Sequence, residues 1–135
     1  MSADEADALA MPLLLLVEDE ILISEVLVAA LEDAGFSTLV ASDGDSAITL
    51  LEQNGVTVRG LVTDINLDDG MNGWEVARAA RDRSSDMAVV YISGASGHEW
   101  ASQGVPKSLM ITKPFAPAQV VVAISSLLVA ADTTP

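Results

Sequence analysis

The 135 residues are the length of one domain, half of them apolar and 19% charged, which supports a buried core and leaves no room for a second. Twenty acidic against six basic residues give a formal charge of −14, which argues against nucleic acid and anionic membrane surfaces, since both are bound through Lys and Arg. No cysteine is present, so disulfides, zinc–thiolate sites and thiol nucleophiles are excluded.

The first twelve residues are acidic and Ala-rich and end at Pro12; they read as a tail, without the Lys or Arg of a signal peptide. No apolar run approaches the length of a membrane span, so the chain reads as soluble and cytoplasmic. Leu13 to Val17 is a short, continuous apolar run, as in a strand buried on both faces. From Glu20 to Ala34, apolar residues recur at Ile23, Val26, Leu27, Ala30, Leu31 and Ala34, a helical stripe that Gly35 stops. Ser37 to Ala41 reads as a second strand. Ser42 or Asp43 then caps a helix from about Asp45 to Asn54, closed by Gly55. Leu61 to Thr63 with Ile65 is a third strand, and a loop rich in Asp, Gly and Asn leads to a helix from Trp74 to about Arg83. Ala88 to Ile92 is a fourth strand, followed by a small polar segment with one helical turn around His98 to Ser102. Leu109 to Thr112 is a fifth, and Pro117 opens a last helix to about Val129, with a second tail from Ala131 to Pro135.

Five short apolar strands alternating with helices predict an α/β fold, a parallel sheet covered on both faces, whose ligands bind at the carboxyl ends of the strands. Polar residues collect at those ends: Glu18 and Asp19 after the first strand, Asp64 at the third, Ser93 at the fourth, Lys113 at the fifth. Three carboxylates brought together repel one another unless a cation sits among them, and an oxygen-only cluster of this kind suits Mg²⁺. A lysine opposite supplies a point charge for a phosphoryl oxygen, and the Ser93 hydroxyl can donate to another. Asp64 is the natural nucleophile, giving an aspartyl phosphate. A single strand-end Asp is more often a cap or turn residue; five such groups in order, at the ends of four strands, outweigh that bland reading.

The set Glu18-Asp19, Asp64, Ser93 and Lys113-Pro114-Phe115 resembles the CheY-like receiver domain of two-component response regulators. The resemblance implies a doubly wound, flavodoxin-like (βα)₅ receiver fold over residues 13–130, with sheet order 2-1-3-4-5 and tails over 1–12 and 131–135. It implies that Asp64 accepts a phosphoryl group from a phosphohistidine on a sensor histidine kinase or a histidine phosphotransfer protein. Glu18, Asp19, Asp64 and the backbone carbonyl of Asn66 would hold Mg²⁺, Ser93 would move to bond the phosphoryl group, Lys113 would pair with it, and the Lys113–Pro114 peptide would be cis. No output domain follows, so the chain is expected to be a single-domain regulator signalling to an unknown downstream protein or through a phosphorelay. The stretches around Trp74, Trp100, Gly104-Val105-Pro106 and Ala116 are similar to single-domain receivers that accompany HWE-type sensor kinases of alphaproteobacteria.

Three positions depart from the family pattern. Asp68 stands where a proline is usual, and the loop is longer, so Gly73 rather than Gly70 takes the usual glycine's place; Asp68 and Asp69 are expected to cap the helix at Trp74. Met110 replaces the aromatic that swings inward and reports phosphorylation; Tyr91 could substitute, but reads better as a buried strand residue. Only 20 residues separate Ser93 from Lys113, which predicts a short fourth helix and a mobile output face. Elsewhere, Ile21, Leu22 and Val28 lie outside the first helix's stripe and suit docking of a kinase helix, and the wide apolar surface of the last helix leaves room for a homodimer. Trp100, in a polar loop, is the better partner anchor of the two tryptophans, while His98 reads as solvent-facing and not as a metal ligand.

Three rival functions remain. A Mg²⁺-dependent small-molecule phosphatase or phosphotransferase would use the same aspartate, but Asn66 stands where such an enzyme carries its acid. A flavodoxin-like FMN binder is disfavoured by Glu18, Asp19 and Glu20, which repel a phosphate. A scaffold of the same fold that works without phosphorylation is the third.

Overall fold

The computed structural model describes residues 11–54, 57–67, 70–95 and 97–133. In chain order these form β1 (Leu13–Val17), α1 (Ile21–Asp33), β2 (Ser37–Ala41), α2 (Gly44–Asn54), β3 (Val58–Asp64), α3 (Gly73–Arg83), β4 (Ala88–Ser93), a 3₁₀ turn (Gly97–Glu99) running into the single-turn α4 (Trp100–Gln103), β5 (Leu109–Thr112) and α5 (Pro117–Thr133). The five strands make one parallel sheet in the order β2-β1-β3-β4-β5, as anticipated.

Strand alternation sorts the core into two layers. Leu15, Val17, Leu61, Val89 and Tyr91 point to the face covered by α2 and α3, while Leu14, Leu16, Val62, Val90 and Ile92 point to the face covered by α1 and α5. Each fully buried Leu or Ile contributes about 1.5–3 kcal/mol, so the continuous apolar runs are explained by burial on both sides. On α1 the buried positions are Ser24, Leu27 and Leu31, flanked by the partly buried Ile23 and Val28. Val26, placed in the apolar stripe by the sequence, is exposed instead, and Val28, placed outside it, is partly buried. The small Ser24 shifts the buried stripe because its hydroxyl is satisfied within the helix, donating to the Ile21 carbonyl at 2.8 Å.

Several boundaries differ from the sequence reading. β3 begins at Val58, three residues early, with Arg59 exposed and Gly60 buried under α5, where an added Cβ would lie 2.8 Å from Leu14 Cδ2 and 3.0 Å from Ile124 Cδ1. The register shifts there, Leu13 pairing with Val58 and Leu14 with Gly60. α2 begins at Gly44, behind an Asp43 carboxylate that accepts from Ser46 N at 2.7 Å; those backbone and side-chain bonds hold the Asp43 carboxyl below its ordinary value. α5 continues to Thr133, past the expected Val129.

The cap of α3 is Asn72: its Oδ1 accepts from Glu75 N at 3.0 Å while Glu75 Oε1 accepts from Asn72 N, a reciprocal capping box. The capping role expected of Asp68 or Asp69 is thus filled by another residue; those two, like Gly55 and residues 1–10, lie outside the described residues. Gly73 follows, and its N–H donates to the Ile65 carbonyl at 2.8 Å. A Cβ at this position would run into the Asp64 carbonyl oxygen and lie 2.8 Å from Ile65 Cα, so only glycine lets α3 start this close to the end of β3. We expect Gly73→Ala to lower unfolding stability by about 1–3 kcal/mol through backbone displacement at the strand end. Urea denaturation checks this, and an unchanged midpoint would show that α3 can back away without loss.

Candidate functional site

Parallel register delivers the site. Val17 pairs with Thr63, Asp64 with Ile92, and Ser93 with Thr112, so Glu18, Asp64, Ser93 and Lys113 all emerge on one rim of the sheet. Two further bonds tie the strand ends together: Ile65 N donates to the Ile92 carbonyl at 3.1 Å, and Lys113 N donates to the Ser93 carbonyl at 2.9 Å. The Lys113–Pro114 peptide is cis, as the resemblance implied.

At the centre, Lys113 Nζ donates to Asp64 Oδ2 at 2.8 Å, while Asn66 N donates more weakly to Asp64 Oδ1 at 3.3 Å. The carboxylate is buried, and the lysine side chain is a quarter exposed. Burial by itself lowers the Lys113 pKa, but the hydrogen bond and charge of Asp64, joined by Glu18 and Glu20, more than reverse this and raise it above the ordinary lysine value. The ammonium therefore stays charged at neutral pH.

Beside it, the acids do not group quite as the sequence suggested. Among the described residues, the carboxylates that bring ligand oxygens within 4.8 Å of one another are Glu18, Asp19 and Glu20; Asp64 is not one of them and is paired with Lys113. Glu18 is 2% exposed; its Oε2 accepts from Glu20 N at 3.1 Å, and its Oε1 is buried with no hydrogen-bond partner. Burial pushes the Glu18 carboxyl up to about 7, with the Asp19 and Asp64 side chains adding to the rise and the Glu20 N–H and Lys113 opposing it. Glu20, which the sequence reading weighed only as a repellent to a phosphate, is thus a member of the cluster, and its signal was plain: a third acid directly after the pair.

An orphaned, buried carboxylate oxygen next to two more carboxylates is a donor set suited to a hard divalent cation, which prefers oxygen ligands and retains several waters. The site residues therefore fit Mg²⁺.

Sequence comparisons agree with the geometry. The model of the response regulator receiver domain family matches residues 14–125. The chain belongs to that family. It is 32% identical over 120 residues to the response regulator receiver protein CpdR of Brucella abortus, covering 87% of this chain and 98% of the relative. It is 30% identical over 128 residues to the DNA-binding response regulator MtrA of Mycobacterium tuberculosis, of which it spans only 53%. Among solved structures, a response regulator receiver protein from Sinorhizobium medicae superposes with a TM-score of 0.87 at 42% identity, over 91% of this chain and 98% of that one. Receiver domains generally act as phosphoacceptors, bind Mg²⁺ at an acidic pocket and meet histidine kinases or phosphotransfer proteins. Among the described residues, no helix of this receiver is long and apolar enough to cross a membrane.

The face beyond the rim carries the short fourth helix that the sequence predicts. Tyr91 is fully buried, stacks at 4.6 Å on Trp74 and accepts at its hydroxyl from Val105 N at 3.1 Å; burial raises its pKa, so the phenol stays neutral. Trp100 is half-buried and donates from Nε1 to Ser108 Oγ at 3.0 Å, so its ring is packed into the fold, whereas His98 is exposed as expected. Arg81 donates to the Met87 carbonyl at 2.7 Å and the Pro106 carbonyl at 2.6 Å, and Arg78 to both oxygens of Gln103. The short α4 and the loop after it are therefore bonded to α3 and β4.

The raised Glu18 pKa has a stability consequence of definite sign. The folded state holds the Glu18 proton more tightly than the unfolded chain, so this contribution is full below about 4.5 and is lost as pH rises through about 7. With a chelator present, we expect stability to fall over that window by about 3 kcal/mol, and Glu18→Gln to lack this fall. Denaturation midpoints of both proteins from pH 4.5 to 8 check it, and parallel curves would refute it.

Proposed function

We propose that this receiver takes a phosphoryl group from a phosphohistidine onto Asp64 in a Mg²⁺-dependent step and passes the signal on by protein contact or phosphorelay. The observation that carries this reading is the 2.8 Å Lys113–Asp64 pair on the same rim as the buried, unpartnered Glu18 Oε1.

In this reading an Asp64 oxygen attacks phosphorus, the P–N bond breaks, and the imidazole nitrogen leaves with the bonding electron pair. Glu18, Asp19, Asp64 and the Asn66 carbonyl would hold the cation, which would supply neutralising charge to the phosphoryl oxygens. Lys113 turns from the free carboxylate to a phosphoryl oxygen, and Ser93 donates its hydroxyl to another. The chain's own role is positioning and charge balance, and Asn66 offers no carboxyl acid for turnover of small phosphate esters. The receiver is accordingly a phosphoacceptor, with its own slow dephosphorylation as its sole hydrolytic activity.

The donor's docking place is supported by the surface beside the rim. A groove of about 640 Å³ is lined by Leu22, Val26, Pro114 and Phe115 with Glu20 and Lys113 at its edge, and Ile21 and Leu22 are 72% and 78% exposed. An apolar strip with one acid and one lysine at its edge suits the apolar face of a helix, here one of a cytoplasmic sensor kinase, of the HWE type by the narrower likeness, or of a phosphotransfer protein.

Acetyl phosphate with Mg²⁺ is expected to add one acid-stable, hydroxylamine-labile phosphate, seen as a single mass increment. Asp64→Asn should abolish it. Lys113→Ala should uncouple phosphorylation from any partner response while leaving labelling detectable. Equal labelling of the Asn variant would move the acceptor elsewhere.

A further inference from the structure

We propose that Glu20 is a further carboxylate of the divalent-cation site, joining Glu18, Asp19 and Asp64. The inference deepens the reading above and rests on it, because it takes the acidic pocket to be a cation site and adds a residue that the family resemblance does not supply.

Three observations converge on Glu20. Its carboxylate places an oxygen within 4.8 Å of ligand oxygens of both Glu18 and Asp19, whereas Asp64 falls outside that group. Its position offers an ordinary alternative use, since it is the N-cap of α1, with extended backbone at φ −88° and ψ 113°; yet its side chain makes no capping hydrogen bond. The longer Glu side chain is not a usual capping group, and here it makes no bond to the helix it precedes, so its oxygens stay with those of Glu18 and Asp19. Its backbone N–H, meanwhile, donates to Glu18 Oε2, which leaves the buried Oε1 of Glu18 as the oxygen without a donor.

Three anionic groups this close raise one another's energy unless a cation is shared among them, and a buried oxygen with no donor adds its own desolvation penalty. A hard divalent ion removes both costs at once. Mg²⁺ and Mn²⁺ accept such an all-oxygen set and complete their shells with water, so one more carboxylate at the exposed side raises affinity without closing the site to a phosphoryl oxygen. Charge on Glu20 also acts on Lys113, and the two side chains line the same groove.

Mn²⁺ is the probe, titrated into the full chain at about 0.15 M salt, with free ion read by electron paramagnetic resonance. Four proteins are compared: wild type, Asp19→Asn, Glu20→Gln and Glu32→Gln. Glu32 is exposed and lies three turns further along α1, about 18 Å away, so its variant makes the same charge change outside the cluster. Glu20→Gln is expected to weaken Mn²⁺ binding about 5- to 10-fold and Glu32→Gln less than about 2-fold. If Glu20→Gln and Glu32→Gln are indistinguishable while Asp19→Asn loses binding, the role of Glu20 is overturned and the acidic-pocket reading stands. If wild type binds no Mn²⁺, both fall together.

Discussion

The ammonium of Lys113, 2.8 Å from Asp64 Oδ2, is the positive charge against which the whole rim is balanced. Around it stand Asp64, Glu18, Asp19 and Glu20, in a chain that already carries −14. Such a pair is not there for stability. Removing a carboxylate from water costs several kcal/mol, and mutual attraction at a partly buried site returns little more than that. A hydrophobic pair of similar volume would serve the fold as well. What the pair does supply is a carboxylate held in a fixed direction, and a cation that can change partner without leaving the site.

That arrangement depends on the sheet more than on any local motif. The charged side chains come from three separate strand ends, and only parallel register with both faces buried brings those ends level. Two core layers hold the strands in register from opposite sides, and Gly73 lets α3 start against the Asp64 carbonyl, so the Asp64 backbone is fixed from the loop side as well. The rim is therefore rigid where chemistry needs position. Lys113 and Glu20 reach further toward solvent than the buried Glu18 and Asp64.

Much of this was legible in the sequence because burial on both faces writes strands as unbroken apolar runs. Leu13–Val17 and Ala88–Ile92 needed nothing more. β3 was read short because Arg59 and Gly60 interrupt the run: the one faces solvent, and the other is small to admit α5, a packing reason invisible along the chain. Ser24 was passed over because a hydroxyl that bonds its own helix buries like an apolar group. The α3 cap was assigned among the loop's aspartates when an asparagine partnered by Glu75 made the better reciprocal pair. The site residues were found by their place at strand ends. Glu20 was not assigned to the site, since a residue on a helix start is ordinarily a cap, and only coordinates show that its side chain does not serve as one.

The same contrast governs the face opposite α5. A methionine at position 110 has neither ring nor hydroxyl, yet its thioether lies against Gly97, where a Cβ would come within 2.8 Å of Met110 Cε. The turn that follows Ser93 and the strand that precedes Lys113 are thus in direct contact through a flexible side chain. The aromatic contact that is missing there is present one strand over, where Tyr91 is clamped between Trp74 and the Val105 N–H. A ring held on both sides and fully buried is a fixed support, whereas a methionine half-buried beside a glycine can repack at small cost. Any movement of the β4–α4 turn is therefore felt first at Met110, while Tyr91, Arg78 and Arg81 hold α4 and its following loop to the body of the fold.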